Sequence, residues 1–189
     1  MSLRLSLTVL APALLLAACD SGAEGEVQQQ EQLGAAKQEL TGEIDRSFAG
    51  ESIPAVTVTD PAGQTLDLGA LKGQPVLLNL WATWCAPCVV EMPMLDELAA
   101  IKRGELRVIT VSQDMTGAKA VEPFFDARRF AHLEPWLDPD NNLGASYDGG
   151  GVMPLTVLYD ASGKEVLRVA GGYHWDSEDA LAAIEEALK

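Results

Sequence analysis

The chain has 189 residues, with 13 Lys and Arg against 28 Asp and Glu, so its formal net charge is −15. That acidity argues against nucleic acid as a partner and against electrostatic docking on anionic lipid. Apolar residues make up 48 % of the chain, enough for a packed core, and three cysteines are too few for a disulfide-stapled mini-protein.

Residues 5–18 (LSLTVLAPALLLAA) follow Arg4 and form an apolar run with the length of a signal-peptide core, too short to span a bilayer comfortably. Leu16-Ala17-Ala18-Cys19 comes next and resembles the lipobox of bacterial lipoproteins, in which Cys19 is lipidated and becomes the mature N-terminus. Asp20 then resembles the signal that retains a lipoprotein in the inner membrane. The expectation is a 1–18 signal peptide and a domain on the periplasmic face of the inner membrane, anchored through Cys19 rather than spanning the membrane. Disulfides persist in that compartment.

Residues 19–50 carry Asp20, Glu24, Glu26, Glu31, Glu39, Glu43 and Asp45 against Lys37 and Arg46. This composition reads as an acidic flexible linker reaching ~30 Å. Leu33, Leu40 and Ile44 hint at a weak helix broken near Gly42. A domain is expected over 51–189. Ile53–Val58 and Thr65–Leu68 flank Pro61-Ala62-Gly63 as two short strands. Val76–Trp81 (VLLNLW) is a near-continuous apolar run, the pattern of a strand covered on both faces. Residues 87–102 have helical spacing, Val108–Val111 is a second buried strand, and 118–130 is helical with Val121, Phe124, Phe125 and Phe130 inward. Leu155–Tyr159 and Glu165–Val169 form a hairpin, and Ser177 caps a last helix. The order is that of an α/β fold, a mixed central sheet flanked by helices.

Cys85-Ala86-Pro87-Cys88 lies where the first buried strand hands over to a helix. Residues three apart on a helix are ~5–6 Å apart, within disulfide reach. The helix N-terminus favours a thiolate at Cys85, and Pro87 is tolerated in the first turn. The spacing thus suits one exposed, acidified thiol and one recessed partner, as reversible thiol–disulfide exchange requires. A purely structural bridge would close almost no loop and add little stability. Half a zinc site would have only His132 and His174 to complete it. Glu91, three residues after Cys88 and on the same helix face, is a candidate acceptor for the Cys88 proton; the plain alternative is a solvated surface glutamate.

NLWATWCAPC, EMPML, GVMPLTVLYDASGK and GGYHWDSEDAL together resemble the extracytoplasmic TlpA/ResA-type thiol–disulfide oxidoreductases of the thioredoxin superfamily, over residues 51–189. The resemblance implies a thioredoxin-like fold with an added N-terminal β-hairpin. It also implies a cis-proline at Pro154 facing the cysteine pair, with Met153 before it exposing backbone to a substrate strand. Glu91 matches a glutamate of this subgroup, and Asn79 replaces the buried aspartate of thioredoxin itself. Trp84, Pro87, Met153 and Pro154 would meet the substrate, while Trp81 is expected in the core. Pro93 should kink its helix. His132, Tyr173 and His174 read as ordinary polar residues.

The implied activity is reduction of disulfides in extracytoplasmic partner proteins, without a cofactor or metal. By resemblance those partners are apocytochromes c or assembly proteins of the cytochrome-oxidase copper site. Electrons would come from a thiol-carrying membrane protein of the DsbD/CcdA type. The rivals are a disulfide oxidase or isomerase, since Ala86-Pro87 does not set the potential, and a Cu(I)-binding chaperone using the thiols with Met92, Met94 and Met153.

Overall fold

The computed structural model describes residues 40–147 and 152–188. The lipobox, Cys19, Asp20, Leu33 and most of the expected linker lie outside them. The sheet is organised by β4 (Val76–Trp81), whose six residues are all buried. Such a strand needs neighbours on both edges and cover on both faces. It pairs in parallel with β5 (Arg107–Ser112) and antiparallel with β7 (Leu155–Tyr159).

With β1 (Glu43–Asp45), β2 (Thr57–Thr59), β3 (Thr65–Asp67), β6 (Pro135–Leu137) and β8 (Glu165–Ala170), the described residues form one mixed sheet. Its order is β1-β8-β7-β4-β5-β6-β2-β3. The α-helices among the described residues are α1 (Ala86–Ile101), α2 (Ala118–Arg128) and α3 (Glu178–Ala187). The β4–α1–β5 and β5–α2–β6 crossovers advance in the same direction across the sheet. Equal handedness therefore lays both helices on one face.

Alternation along β4 divides the interior. Leu77 and Trp81 pack with Met92, Leu95 and Leu98 of α1, Val121 of α2 and Ile184 of α3. Val76, Leu78 and Leu80 pack with Ile53, Val58, Ile109, Val111, Val157 and Tyr159. Helices α1, α2 and α3 share the first face. The second face is covered by 3-10 turns at Leu68–Ala70 and Gly144–Ser146, flanked by buried Leu143 and Tyr147. Trp81 is fully buried, with Phe124 and Phe125 against its ring.

Several boundaries differ from the sequence reading. Glu43–Asp45, expected in the linker with Ile44 on a weak helix, is a strand paired with Ala170–Arg168 of β8. The free edge of β8 supplies hydrogen bonds that an isolated turn of helix lacks. Ile53–Val58 is not one strand. Pro54 has no N–H, and its carbonyl accepts from the Val56 N–H, so the stretch is interrupted after Ile53, whose own N–H donates to the Gly163 carbonyl, and β2 begins at Thr57. Leu68 leaves β3 for a 3-10 turn because Asp67 Oδ1 accepts from the Gly69 N–H at 3.0 Å. The expected added hairpin is β2–β3, with Val58 opposite Leu66. Helix α2 stops at Arg128, where Arg129 turns left-handed (φ 54°); Phe130 still packs on Phe124 and Phe125. Helix α1 continues through Pro93. Strand β6 has no counterpart in the sequence reading, being three residues that begin with proline.

Candidate active site

The carboxyl end of β4 and the start of β7 lie side by side, since Leu80 faces Leu155. That pairing places the Cys85 turn and Pro154 at one end of the sheet, where α/β folds gather their chemistry. Cys85 is the N-cap of α1 and Pro87 lies in its first turn. Cys85 and Cys88 are joined by a disulfide with S–S 2.02 Å and Cα–Cα 5.3 Å. The order of exposure is as expected, but its extent is not: Cys85 retains only 6 % and Cys88 none. Trp84 stands 68 % exposed beside them. The Met153–Pro154 peptide bond is cis.

The turn leading into Cys85 is held by a residue outside the site expected from sequence. Asp114, buried just past β5, accepts from the Thr83 N–H at 2.9 Å and the Thr83 hydroxyl at 2.6 Å. Ser112 Oγ donates to the same carboxylate at 2.8 Å. The run Ser112-Gln113-Asp114 at the end of an apolar strand was the available signal, because a carboxylate there needs donors from the neighbouring loop.

Glu91 is not a solvated helix-surface residue: it is wholly buried beneath the disulfide-bearing turn of α1. Its Oε1 accepts from Asn79 Nδ2 at 2.7 Å, and its Oε2 accepts from the Tyr173 backbone N–H at 3.1 Å. Asn79 Nδ2 donates also to Thr156 Oγ1 at 2.9 Å, while Asn79 Oδ1 accepts nothing. Burial pushes the Glu91 carboxyl from its ordinary 4.5 up to about 7; donation from Tyr173 and Asn79 opposes the rise without cancelling it. The buried Trp175 indole N–H favours the charged form as well, although it completes no hydrogen bond. Tyr173, an ordinary polar residue by sequence, thus contributes through its backbone. Thr156 and Trp175 stand within GVMPLTVLYDASGK and GGYHWDSEDAL, but their place beside Asn79 and Glu91 becomes visible only through the pairing of β7 with β4 and the turn after β8.

The other candidates of the sequence reading are dispersed. His132 Nδ1 pairs with Arg103 at 2.8 Å, and His174 is exposed. Among the described residues no group of three His, Cys, Asp or Glu side chains is placed to hold a metal ion. Met92 is fully buried, whereas Met94 and Met153 are only partly so.

A dithiol pair closed at a helix N-cap, next to a buried carboxyl and a cis-proline on this sheet, defines a class: a thioredoxin-like thiol–disulfide oxidoreductase. Comparison with known proteins agrees. The Redoxin family model matches residues 48–184. The thiol-disulfide oxidoreductase ResA of Bacillus thuringiensis (strain Al Hakam) is 34 % identical over 123 residues, 65 % of this chain and 69 % of the relative. The thiol:disulfide interchange protein HelX of Rhodobacter capsulatus is 31 % identical over 66 % of this chain and 69 % of its own. Among solved structures, the exposed lipoprotein thioredoxin Etrx1 of Streptococcus pneumoniae superposes with a TM-score of 0.58 at 26 % identity, covering 69 % of this chain and 98 % of that one. The chain belongs to the Redoxin family, as a ResA-type member of the thioredoxin superfamily, and is a redox enzyme.

Proposed function

We propose that this enzyme reduces disulfides of partner proteins outside the cytoplasm, anchored through a lipid on Cys19 at the periplasmic face of the inner membrane. The observation that carries the reading is the closed Cys85–Cys88 pair at the α1 N-cap with Glu91 buried one turn further on. Starting from the reduced pair, the Cys85 thiolate attacks one sulfur of the substrate disulfide. A mixed disulfide forms, and the first substrate thiolate leaves and takes up a proton. Glu91 then accepts the Cys88 proton, and the Cys88 thiolate attacks the Cys85 sulfur. This releases the second substrate thiol and leaves the enzyme disulfide. A carboxyl near 7 is poised for that transfer at neutral pH.

Trp84, Pro87, Met153 and Pro154 form the contact surface for the substrate strand. Two electrons from a thiol-carrying membrane protein of the DsbD/CcdA type reset the pair. The substrates are apocytochromes c or copper-site assembly proteins of cytochrome oxidase. The lipobox resemblance supports the anchored location, as does the likeness to a protein described as an exposed lipoprotein. The test is Cys88→Ser in cells. Covalent adducts of Cys85 with extracytoplasmic proteins are expected, and their identity names the substrate. Absence of adducts while the wild-type pair cycles between oxidised and reduced would overturn the proposal.

A further inference from the structure

The segment before β1 reaches the active site. Gly42 N–H donates to the Gly172 carbonyl at 2.9 Å. The N–H of that same peptide group, on Tyr173, donates to Glu91 Oε2 at 3.1 Å. One peptide unit therefore links the N-terminal strand to the buried carboxyl. The approach is close at both glycines. A Cβ on Gly42 would lie 2.6 Å from Val169 Cγ1 and 2.7 Å from the Gly171 oxygen. A Cβ on Gly172 would lie 2.5 Å from Leu40 Cδ2 and 3.2 Å from Pro87 Cβ, so the backbone at Gly172 lies close to both Leu40 and Pro87, one of the two residues between the cysteines. Hydrogen bonds in series polarise one another: a carbonyl that accepts makes its own N–H a stronger donor.

We propose that Gly42 is a positioning residue for Glu91: through the Gly172–Tyr173 peptide, the N-terminal strand supports the Glu91 carboxylate, and ionisation of Glu91 in turn tightens the strand on the domain. The catalytic meaning of this coupling rests on the reading of Glu91 as proton acceptor for Cys88. The reciprocity itself is thermodynamic. The groups around Glu91 are Asn79 of β4, Thr156 of β7, Cys88 of its own helix, and Tyr173 and Trp175 after β8. With the disulfide closed Cys88 does not titrate. His174 and Asp176 lie in the same segment but are exposed, as are Glu43 and Asp45 on β1.

The test is NMR titration of the oxidised full chain. In the wild type the Gly42 amide proton shift is expected to follow the midpoint of the Glu91 carboxyl carbon, and in Glu91→Gln to be flat. Gly42→Pro removes the donor, and its Cβ, 2.6 Å from Val169 Cγ1, pushes the strand away as well; both take support from the carboxylate and are expected to raise the Glu91 midpoint by ~0.5 pH unit. A Gly42 amide indifferent to Glu91, or one that still titrates in Glu91→Gln with His174, overturns the proposal. So does an unchanged or lowered midpoint in folded Gly42→Pro. Should that variant not fold, the comparison of wild type with Glu91→Gln decides alone. If the coupling is seen while Glu91→Gln releases substrate at the wild-type rate, the proton-acceptor role fails and the coupling stands.

Discussion

Glu91→Gln tests the electrostatics of the site most directly. In the folded oxidised protein the carboxyl titrates near 7, against an ordinary 4.5, because burial penalises its charge. The native state therefore holds a proton that the unfolded chain has already released between those two values. Stability contributed by the neutral carboxyl is complete below 4.5 and is lost as pH rises toward 7. At about 1.4 kcal/mol per pH unit, the change between pH 5 and pH 8 amounts to about 2–3 kcal/mol. Glutamine cannot ionise. Its Oε1 can accept from the Tyr173 N–H, and its NH2 can donate to Asn79 Oδ1 once that amide, now unpartnered on this atom, turns over. Urea unfolding of the oxidised proteins at pH 5 and pH 8 is the assay. The variant is expected to gain about 2–3 kcal/mol on the wild type between the two pH values. In turnover it is expected to lose about 100-fold in the resolving step. Equal pH dependence of stability in the two proteins would refute the burial argument.

Two further outcomes follow from buried charge. Asp114→Ala removes the acceptor for both Thr83 donors and for Ser112, and is expected to cost about 2–4 kcal/mol in urea unfolding and to slow attack by Cys85, since the preceding turn is freed. A variant with unchanged stability and unchanged mixed-disulfide formation would show that the turn holds itself. Arg168 is buried, pairs with buried Glu165 at 2.6 and 2.7 Å, and stacks 3.5 Å from the Phe48 ring centroid. Arg168→Ala strands the Glu165 carboxylate and is expected to cost about 3–5 kcal/mol, recovered in large part by adding Glu165→Ala. A double variant no more stable than the single one would place the loss in packing on Phe48 instead.

Much of this protein was legible along the chain. VLLNLW announced a doubly covered strand because a short, near-continuous apolar run is the pattern such a strand carries. Cys85 and Cys88 were within disulfide reach by their spacing, since one turn of helix sets their distance. Ser177 capped α3 as its side chain suggested, with Oγ accepting from the Ala180 N–H at 3.1 Å. These features depend on residues within a few positions of one another, and local geometry is written locally.

What surrounds the cysteines was decided by the tertiary structure. The fate of Glu91 depended on whether solvent or protein covered α1 at that point, and Asn79, Thr156, Tyr173 and Trp175 come to it from three separate stretches of chain. The same holds for Glu43–Asp45, whose acidic composition suggested a linker. Its strand conformation is supplied by the open edge of β8, a partner more than a hundred residues away. A side chain's polarity shows what burial would cost it, but only the assembled sheet determines whether it is buried and which donors meet it there.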